Sequence, residues 1–153
     1  SSAYTVVKDP NKVNFSYRDN LFSGADLLAT GIASFGHVSG VHYQNLPHME
    51  QYLSTVEEGR LPLGRGFTPN AHQRLIREVI LLLKRGYLES DYFTKKFDVD
   101  IVERWREQWN SYVGEGLVTV GDGRIELTTT GLLRVDSLLP PFFEPEHQNV
   151  RYT

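Results

Sequence analysis

Residues 24–45, GADLLATGIASFGHVSGVHYQN, hold the residue types and spacings best suited to chemistry. Gly31, Gly36 and Gly40 arrive close together, with Ala33, Ser34 and Ser39 between them. Small residues at this density let a backbone approach a ligand closely or turn sharply. They follow an apolar run, DLLAT at 26–30, long enough for one buried strand and too short for a helix. In open and barrel α/β folds, ligands sit at such strand ends. The same composition suits a tight loop that only changes direction, and neither a dinucleotide-binding nor a P-loop pattern is present. Phe35 is the large aromatic inside this small-residue stretch. It either plugs the core beneath the loop or offers a ring face for stacking.

Other chemistry-bearing residues are scattered. Of the five histidines, His37 and His42 lie five apart in the same stretch, with no carboxylate or cysteine at ligand spacing, so no metal site is expected. His72 reads as a solvated residue near the start of a helix. Arg60 and Arg65, in GRLPLGRG at 59–66, could meet substrate carboxylates or be solvated loop residues. Glu57, Glu58, Glu144 and Glu146 form no acid–base pair at recognisable spacing, and no catalytic acid is assigned.

The elements that must position these residues follow from periodicity. Residues 3–7 and 12–17 alternate enough to predict strands, with a turn at Asp9-Pro10-Asn11, and 26–30 predicts a third. A helix is predicted at 47–58, with Asn45 as its cap and Gly59 as its stop; a linker follows at 59–66. The clearest helix is 69–85, opened by Thr68 and Pro69 and closed by Gly86, with an apolar face of Leu75, Ile76, Val79, Ile80, Leu82 and Leu83. A short helix at 91–97 and a longer one from Asp100 to about Val113 come next, the latter opened by the Asp100/Glu103 capping pattern. Strands at 117–120 and 124–128 flank Gly121-Asp122-Gly123, a strong hairpin signal. A last helix, 131–139, is capped by Thr130 and stopped by Pro140-Pro141. The 142–153 tail, with Phe142 and Phe143, is expected on the surface or against another domain. Helices followed by a two-stranded wing make a winged-helix outline. Its candidate recognition helix balances Arg104 and Arg106 with Glu103 and Glu107, too little positive charge for phosphate attraction.

The totals are those of an ordinary globular chain: 153 residues, 40% hydrophobic and 23% charged, with net charge −3. That balance argues against a nucleic-acid surface. No apolar run approaches a membrane span and no leader pattern opens the chain, so a cytoplasmic protein without membrane or nucleic-acid partners is the expectation. There is no cysteine, which excludes disulfides and thiolate-held metals. The chain opens SSAYTVV and its Met is Met49, which reads as a fragment or processed piece.

Residues 25–45 also resemble the segment that follows the catalytic barrel in oxygen-independent coproporphyrinogen III oxidases and their radical SAM relatives. That segment runs strand, Gly-x-Gly-x-Ser/Ala-x-Ser, then Gly-Gly-x-x-Tyr-x-Asn. Gly31, Ser34, Gly40, Tyr43 and Asn45 fall in place; Ala29, Ala33 and Ser39 stand where Gly, Ser and Gly are common. The resemblance continues more weakly to the C-terminus.

This resemblance implies an α+β chain: a few strands from the end of a radical SAM (β/α) barrel, then a helical, winged-helix-like domain. The implied divisions are 1–45 for the barrel end and cofactor-facing loop, 46–66 for a helix and linker, and 67–153 for a cover domain with tail. The implied parent holds an iron–sulfur cluster (4Fe–4S) through a Cys-x-x-x-Cys-x-x-Cys motif in an upstream barrel. There it cleaves S-adenosylmethionine, and propionate side chains of a tetrapyrrole lose CO₂ to become vinyl groups. Gly31, Ala33 and Ser34 would line the S-adenosylmethionine pocket with backbone, and Phe35 would pack on the adenine. By itself this piece is expected to hold no iron and consume no cofactor. Haem carriers, radical methyltransferases and cyclopropanases share the pattern. From another class, a non-enzymatic winged-helix interaction module is the alternative.

Overall fold

A Ser-Gly pair and an Asp-Gly pair each close a hairpin, and the two hairpins found two small antiparallel sheets. The computed structural model describes residues 2–148. These divide into one unit at 16–73 and another made of 74–148 with the N-terminal segment.

The first unit contains α1 (Ser16–Phe22), β1 (Phe35–Val38), β2 (Val41–Asn45), α2 (Met49–Glu57) and β3 (Leu63–Phe67). Its sheet has the order β1-β2-β3, antiparallel throughout. Val38 pairs with Val41, so Ser39 (φ 50°) and Gly40 (φ 80°) form a two-residue turn with both residues left-handed. Residues 26–30 are not a buried strand: Leu27 makes one antiparallel bridge to His37, and Leu28 is 76% exposed. A run of apolar type had no second partner to bury against. The 59–66 linker contains most of β3 instead; as an edge strand exposed along its whole length, it shows no alternation that a sequence could reveal. Asn45 does not cap α2 but lies buried at the end of β2, and His48 holds the cap position without a side-chain bond.

The strands expected at 3–7 and 12–17 also fail to form. Asp9 accepts from the Asn11 N–H and caps a 3₁₀ turn, Pro10–Lys12, and the chain then enters α1. Ala3 donates its N–H to the Lys84 carbonyl at 3.0 Å, while the Tyr4 hydroxyl donates to Asp136. These tether the segment without giving it a strand neighbour.

The second unit is built on α3 (Ala71–Leu83), whose Leu75, Val79, Leu82 and Leu83 recur at helical spacing and are buried. Asn70 and Gln73 exchange side-chain-to-backbone hydrogen bonds at 2.9 and 3.0 Å and close its N-terminal end reciprocally. Then come β4 (Tyr87–Glu89), α4 (Ser90–Phe97), α5 (Ile101–Arg104) and α6 (Arg106–Gly114). The single helix expected from Asp100 to Val113 is broken at Trp105. The Trp109 Nε1–H donates to the Ile101 carbonyl at 2.9 Å, the acceptor a continuous helix would offer the Trp105 N–H. The expected hairpin forms as β5 (Val118–Gly121) and β6 (Arg124–Leu127), turning through Asp122 and Gly123, and β4 adds to β6 as a third strand. Thr128, not Thr130, caps α7 (Thr129–Leu133), accepting from the Gly131 N–H; α8 (Val135–Leu138) follows. Phe142 belongs to the core rather than to a surface tail: it is 2% exposed, its ring 4.8 Å from that of Trp109 and edge-on to Trp105. Of the expected tail, residues 149–153 lie outside the described residues.

Among the described residues, one buried carboxylate sits in this unit. Glu78 of α3 accepts from Lys96 Nζ at 2.7 Å and from the Tyr92 hydroxyl. Burial alone would lower the Lys96 pKa, but the hydrogen bonds with Glu78 and Tyr92 outweigh it and hold it above the usual value. Among the described residues no helix is long and apolar enough to cross a membrane.

Candidate functional site

The candidate site is one face of the β1-β2-β3 sheet, with the loop that leads into it. Cross-strand register puts Phe35, Gln44 and Arg65 in one row, and His37, His42 and Phe67 in the next. Side chains two apart on a strand share a face, so these six stand together. Phe35, His42, Tyr43, Gln44, Arg65, Gly66 and Phe67 line a cavity of about 230 Å³. The His37 and His42 rings lie 4.6 Å apart, and His37 is buried with Nδ1 3.4 Å from the Ala25 carbonyl.

The loop at 31–34 is held by hydrogen bonds at nearly every residue. Gly31, at φ 92°, donates its N–H to the Tyr52 hydroxyl at 3.1 Å. The buried Asn45 amide donates to the Gly31 carbonyl at 2.9 Å. Ala33 takes φ 54°, a costly conformation for a residue with a Cβ, and its N–H donates to the Leu46 carbonyl at 3.0 Å. Ser34 Oγ donates to the Thr30 carbonyl at 2.7 Å, and its own carbonyl accepts from the Asn45 N–H at 2.9 Å. The amides of Gly31 and Ala33 are thus already engaged, and the loop offers a rigid wall rather than a set of free donors. Phe35 begins β1 and is 65% exposed, so it does not plug the core.

On the sheet's other side, Tyr43 lies against Gly36, where an added Cβ would fall 2.2 Å from the Tyr43 ring. That close approach lets the Tyr43 hydroxyl accept from the Ala29 N–H at 2.8 Å, tying residues 26–30 to the sheet. So Gly31, Ala33, Ser34 and Phe35 are brought together, with Tyr43, Asn45 and Tyr52 as the groups that hold them. Gln44 and its partnership with Arg65 were missed by sequence reasoning. The signal that could have exposed them is the alternation of Phe35 and His37 with Gly36 and Val38, around Ser-Gly. Elsewhere, Glu144, Glu146 and His147 bring ligand-type atoms within 4.8 Å of one another in an exposed turn. Arg106 is paired with Glu103 and Arg104 lies over the Trp105 ring, so both cations of the expected recognition helix have partners within their own helical region.

A mixed α/β chain with small antiparallel sheets of this kind occurs within a radical SAM enzyme. The chain is similar to coproporphyrinogen III oxidase (HemN) from Escherichia coli, described as a radical SAM enzyme, with a TM-score of 0.65 and 24% identity, covering 77% of this chain and 28% of that one. No family model matches the chain. Among curated proteins it is 25% identical over 117 residues to the oxygen-independent coproporphyrinogen III oxidase of Pseudomonas aeruginosa, covering 74% of this chain. It is 27% identical over 120 residues to the protein of the same name from Helicobacter pylori, covering 75% of this chain. This chain is thus similar over about three quarters of its length to oxygen-independent coproporphyrinogen III oxidases, while spanning only about a quarter of the length of these curated relatives.

Proposed function

We propose that this chain is the C-terminal part of a radical SAM protein of the oxygen-independent coproporphyrinogen III oxidase type. In this reading residues 1–45, though they lack the three strands expected of them, adjoin the end of the catalytic barrel and supply the cofactor-facing loop. Residues 46–66 connect, and 67–153 form a winged-helix-like domain covering the barrel mouth. The observation that carries it is the exposed Phe35 ring beside the hydrogen-bonded 31–34 loop, in a chain similar over three quarters of its length to those oxidases. A rigid small-residue wall with an aromatic at its edge fits the adenine of S-adenosylmethionine: Phe35 supplies a stacking face and Ala33 leaves room above its backbone. The residues present do not fit the iron–sulfur cluster, because the sequence contains no cysteine. Cluster and S-adenosylmethionine together supply the radical chemistry in such proteins. What this chain contributes is positioning and the exclusion of water, and its own role is non-catalytic. The substrate in the whole protein is a tetrapyrrole whose propionates become vinyl groups.

The reading frame upstream of the Ser1 codon tests this. It is expected to encode a barrel with Cys-x-x-x-Cys-x-x-Cys, and a frame without that motif overturns the reading. The purified chain is expected to show no iron–sulfur absorbance after anaerobic reconstitution. In the protein that carries the barrel, Phe35→Ala is expected to weaken S-adenosylmethionine binding about tenfold, the scale of one lost stacking contact. Unchanged binding removes Phe35 from the site.

A further inference from the structure

One cation on the sheet face has its orientation set and its charge unanswered. Arg65 Nε donates to Gln44 Oε1 at 2.7 Å, and Gln44 Nε2 donates to the Ala33 carbonyl at 3.0 Å. The amide cannot be reversed without setting donor against donor at the arginine and acceptor against acceptor at the carbonyl. Ala33 is itself pinned through its N–H to Leu46. A chain of hydrogen bonds therefore runs from backbone to amide to guanidinium and fixes the guanidinium plane. Arg18, Arg60, Arg106 and Arg124 each have a carboxylate partner; Arg65 has none among the described residues. Its Nε is used, which leaves the two terminal nitrogens as a forked donor edge. That fork matches the two oxygens of a carboxylate.

The surroundings define the rest of the ligand. The Phe35 ring centre lies 6.0 Å from Arg65 Cζ, and Phe67, one row away, is 53% exposed. An exposed arginine beside one exposed aromatic ring and one row from another suits an anionic group carried on an apolar body. The cavity, about 230 Å³, is smaller than a typical drug-sized pocket, so it takes one arm of a larger ligand rather than the whole.

We propose that Arg65, positioned by Gln44, pairs with a carboxylate of a ligand whose apolar body rests on Phe35 and Phe67. This deepens the function proposed above and rests on it. A tetrapyrrole presents propionates on an apolar macrocycle, and S-adenosylmethionine presents an amino-acid carboxylate on a chain that ends in adenosine; the shared chemistry is an alkyl carboxylate on a molecule that also offers a ring face.

The test is a fluorescence titration of the chain with coproporphyrin III, with its tetramethyl ester, and with S-adenosylhomocysteine by calorimetry, in wild type, Arg65→Gln and Gln44→Leu. Arg65 is exposed on an edge strand, and Gln44 is half-buried on the central strand, where leucine is close to it in volume, so both variants are expected to keep the wild-type circular dichroism. Arg65→Gln is expected to weaken coproporphyrin III at least about tenfold, the scale of lost hydrogen bonds to a charged group. Gln44→Leu, with charge unchanged, should weaken it about threefold to tenfold by releasing the guanidinium. The ester should bind wild type no better than the acid binds Arg65→Gln. Arg65-dependent binding of S-adenosylhomocysteine alone also supports the inference and names the cofactor as the source of the carboxylate. Coproporphyrin III that binds wild type and Arg65→Gln equally, with no Arg65-dependent binding of S-adenosylhomocysteine, overturns the inference and leaves the proposed function standing. Binding of 2-naphthoate through Arg65, with no affinity for either the porphyrin or the nucleoside, keeps the carboxylate site and overturns the proposed function. No binding of any of these carboxylates to wild type at millimolar concentration overturns the inference.

Discussion

In the unit built on residues 74–148, Phe93, Trp109 and Phe142 are each 2% exposed or less; in the unit at 16–73 the buried polar side chains are His37 and Asn45, and no large apolar residue there reaches that depth. The 74–148 unit is held by apolar area removed from water. The 16–73 unit is held by directed bonds: the Asn45 amide to the Gly31 carbonyl, Tyr52 to the Gly31 N–H, Tyr43 to the Ala29 N–H. Phe35, Phe67 and Leu28 of that unit are exposed. Directed bonds hold a loop in one costly conformation, as at Ala33, in a way that apolar burial cannot, because burial has no preferred angle. One unit is thus built for stability and the other for shape.

The largest effect is expected at Trp109. Trp109→Ala removes the ring packed on Phe142 and frees the Ile101 carbonyl. The expected loss is about 3–5 kcal/mol, read by urea denaturation followed by circular dichroism. A loss below about 1 kcal/mol, less than a typical core truncation, would mean that apolar packing is not what holds this unit. In the other unit the equivalent change adds volume. Gly36→Val drives Tyr43 off the sheet and breaks its bond to the Ala29 N–H, at an expected cost of about 1–3 kcal/mol. The readout is faster hydrogen exchange at the Ala29 amide; unchanged exchange there would show that Tyr43 does not hold residues 26–30.

Smaller effects sharpen the contrast. The buried Tyr112 hydroxyl donates to the Leu138 carbonyl at 2.7 Å, and burial, helped by Glu115, pushes its pKa up to about 12. Since the folded value lies above the unfolded one, the unfolded chain ionises first. The contribution is complete below about pH 10 and is lost as pH rises through about 12. Tyr112→Phe is expected to cost about 1 kcal/mol at neutral pH and to flatten that alkaline slope, as measured by denaturation at several pH values. The smallest effect is at Asp136, which joins Tyr4 and Lys84 on an exposed surface. Its hydrogen bond from Tyr4, with help from Lys84, holds its pKa below the usual carboxylate value. That contribution is present above the ordinary carboxylate range and lost as pH falls through the lowered value. Asp136→Asn is expected to shift stability by less than about 1 kcal/mol. A larger shift in its thermal melt would show that the N-terminal tether matters more than an exposed contact should.

Two turns show what could be read ahead of the structure. Asp122-Gly123 and Ser39-Gly40 have the same left-handed geometry and each closes a two-residue hairpin. The first was legible because Asp-Gly is the stronger signal and its flanks alternate clearly. The second was hidden among small residues that also suit a ligand loop. Helix α3 was legible from its unbroken apolar face, and the break at Trp105 was not, because a side chain eight residues away in the pair Trp109–Ile101 competes for the backbone acceptor. Gly31, Ala33, Ser34 and Phe35 could be named as a set from composition and resemblance. Arg65 could be named only as one of two loop arginines.

The helical core of the C-terminal unit and its Asp-Gly hairpin were settled locally, because helical periodicity and turn chemistry act over a few neighbouring residues. Only the tertiary structure decided that DLLAT would stay a bridge, that GRLPLGRG would supply an edge strand, and that Gln44 would stand between Ala33 and Arg65. Those outcomes depend on which distant backbone arrives beside each segment, and strand register carries no local mark of its partner.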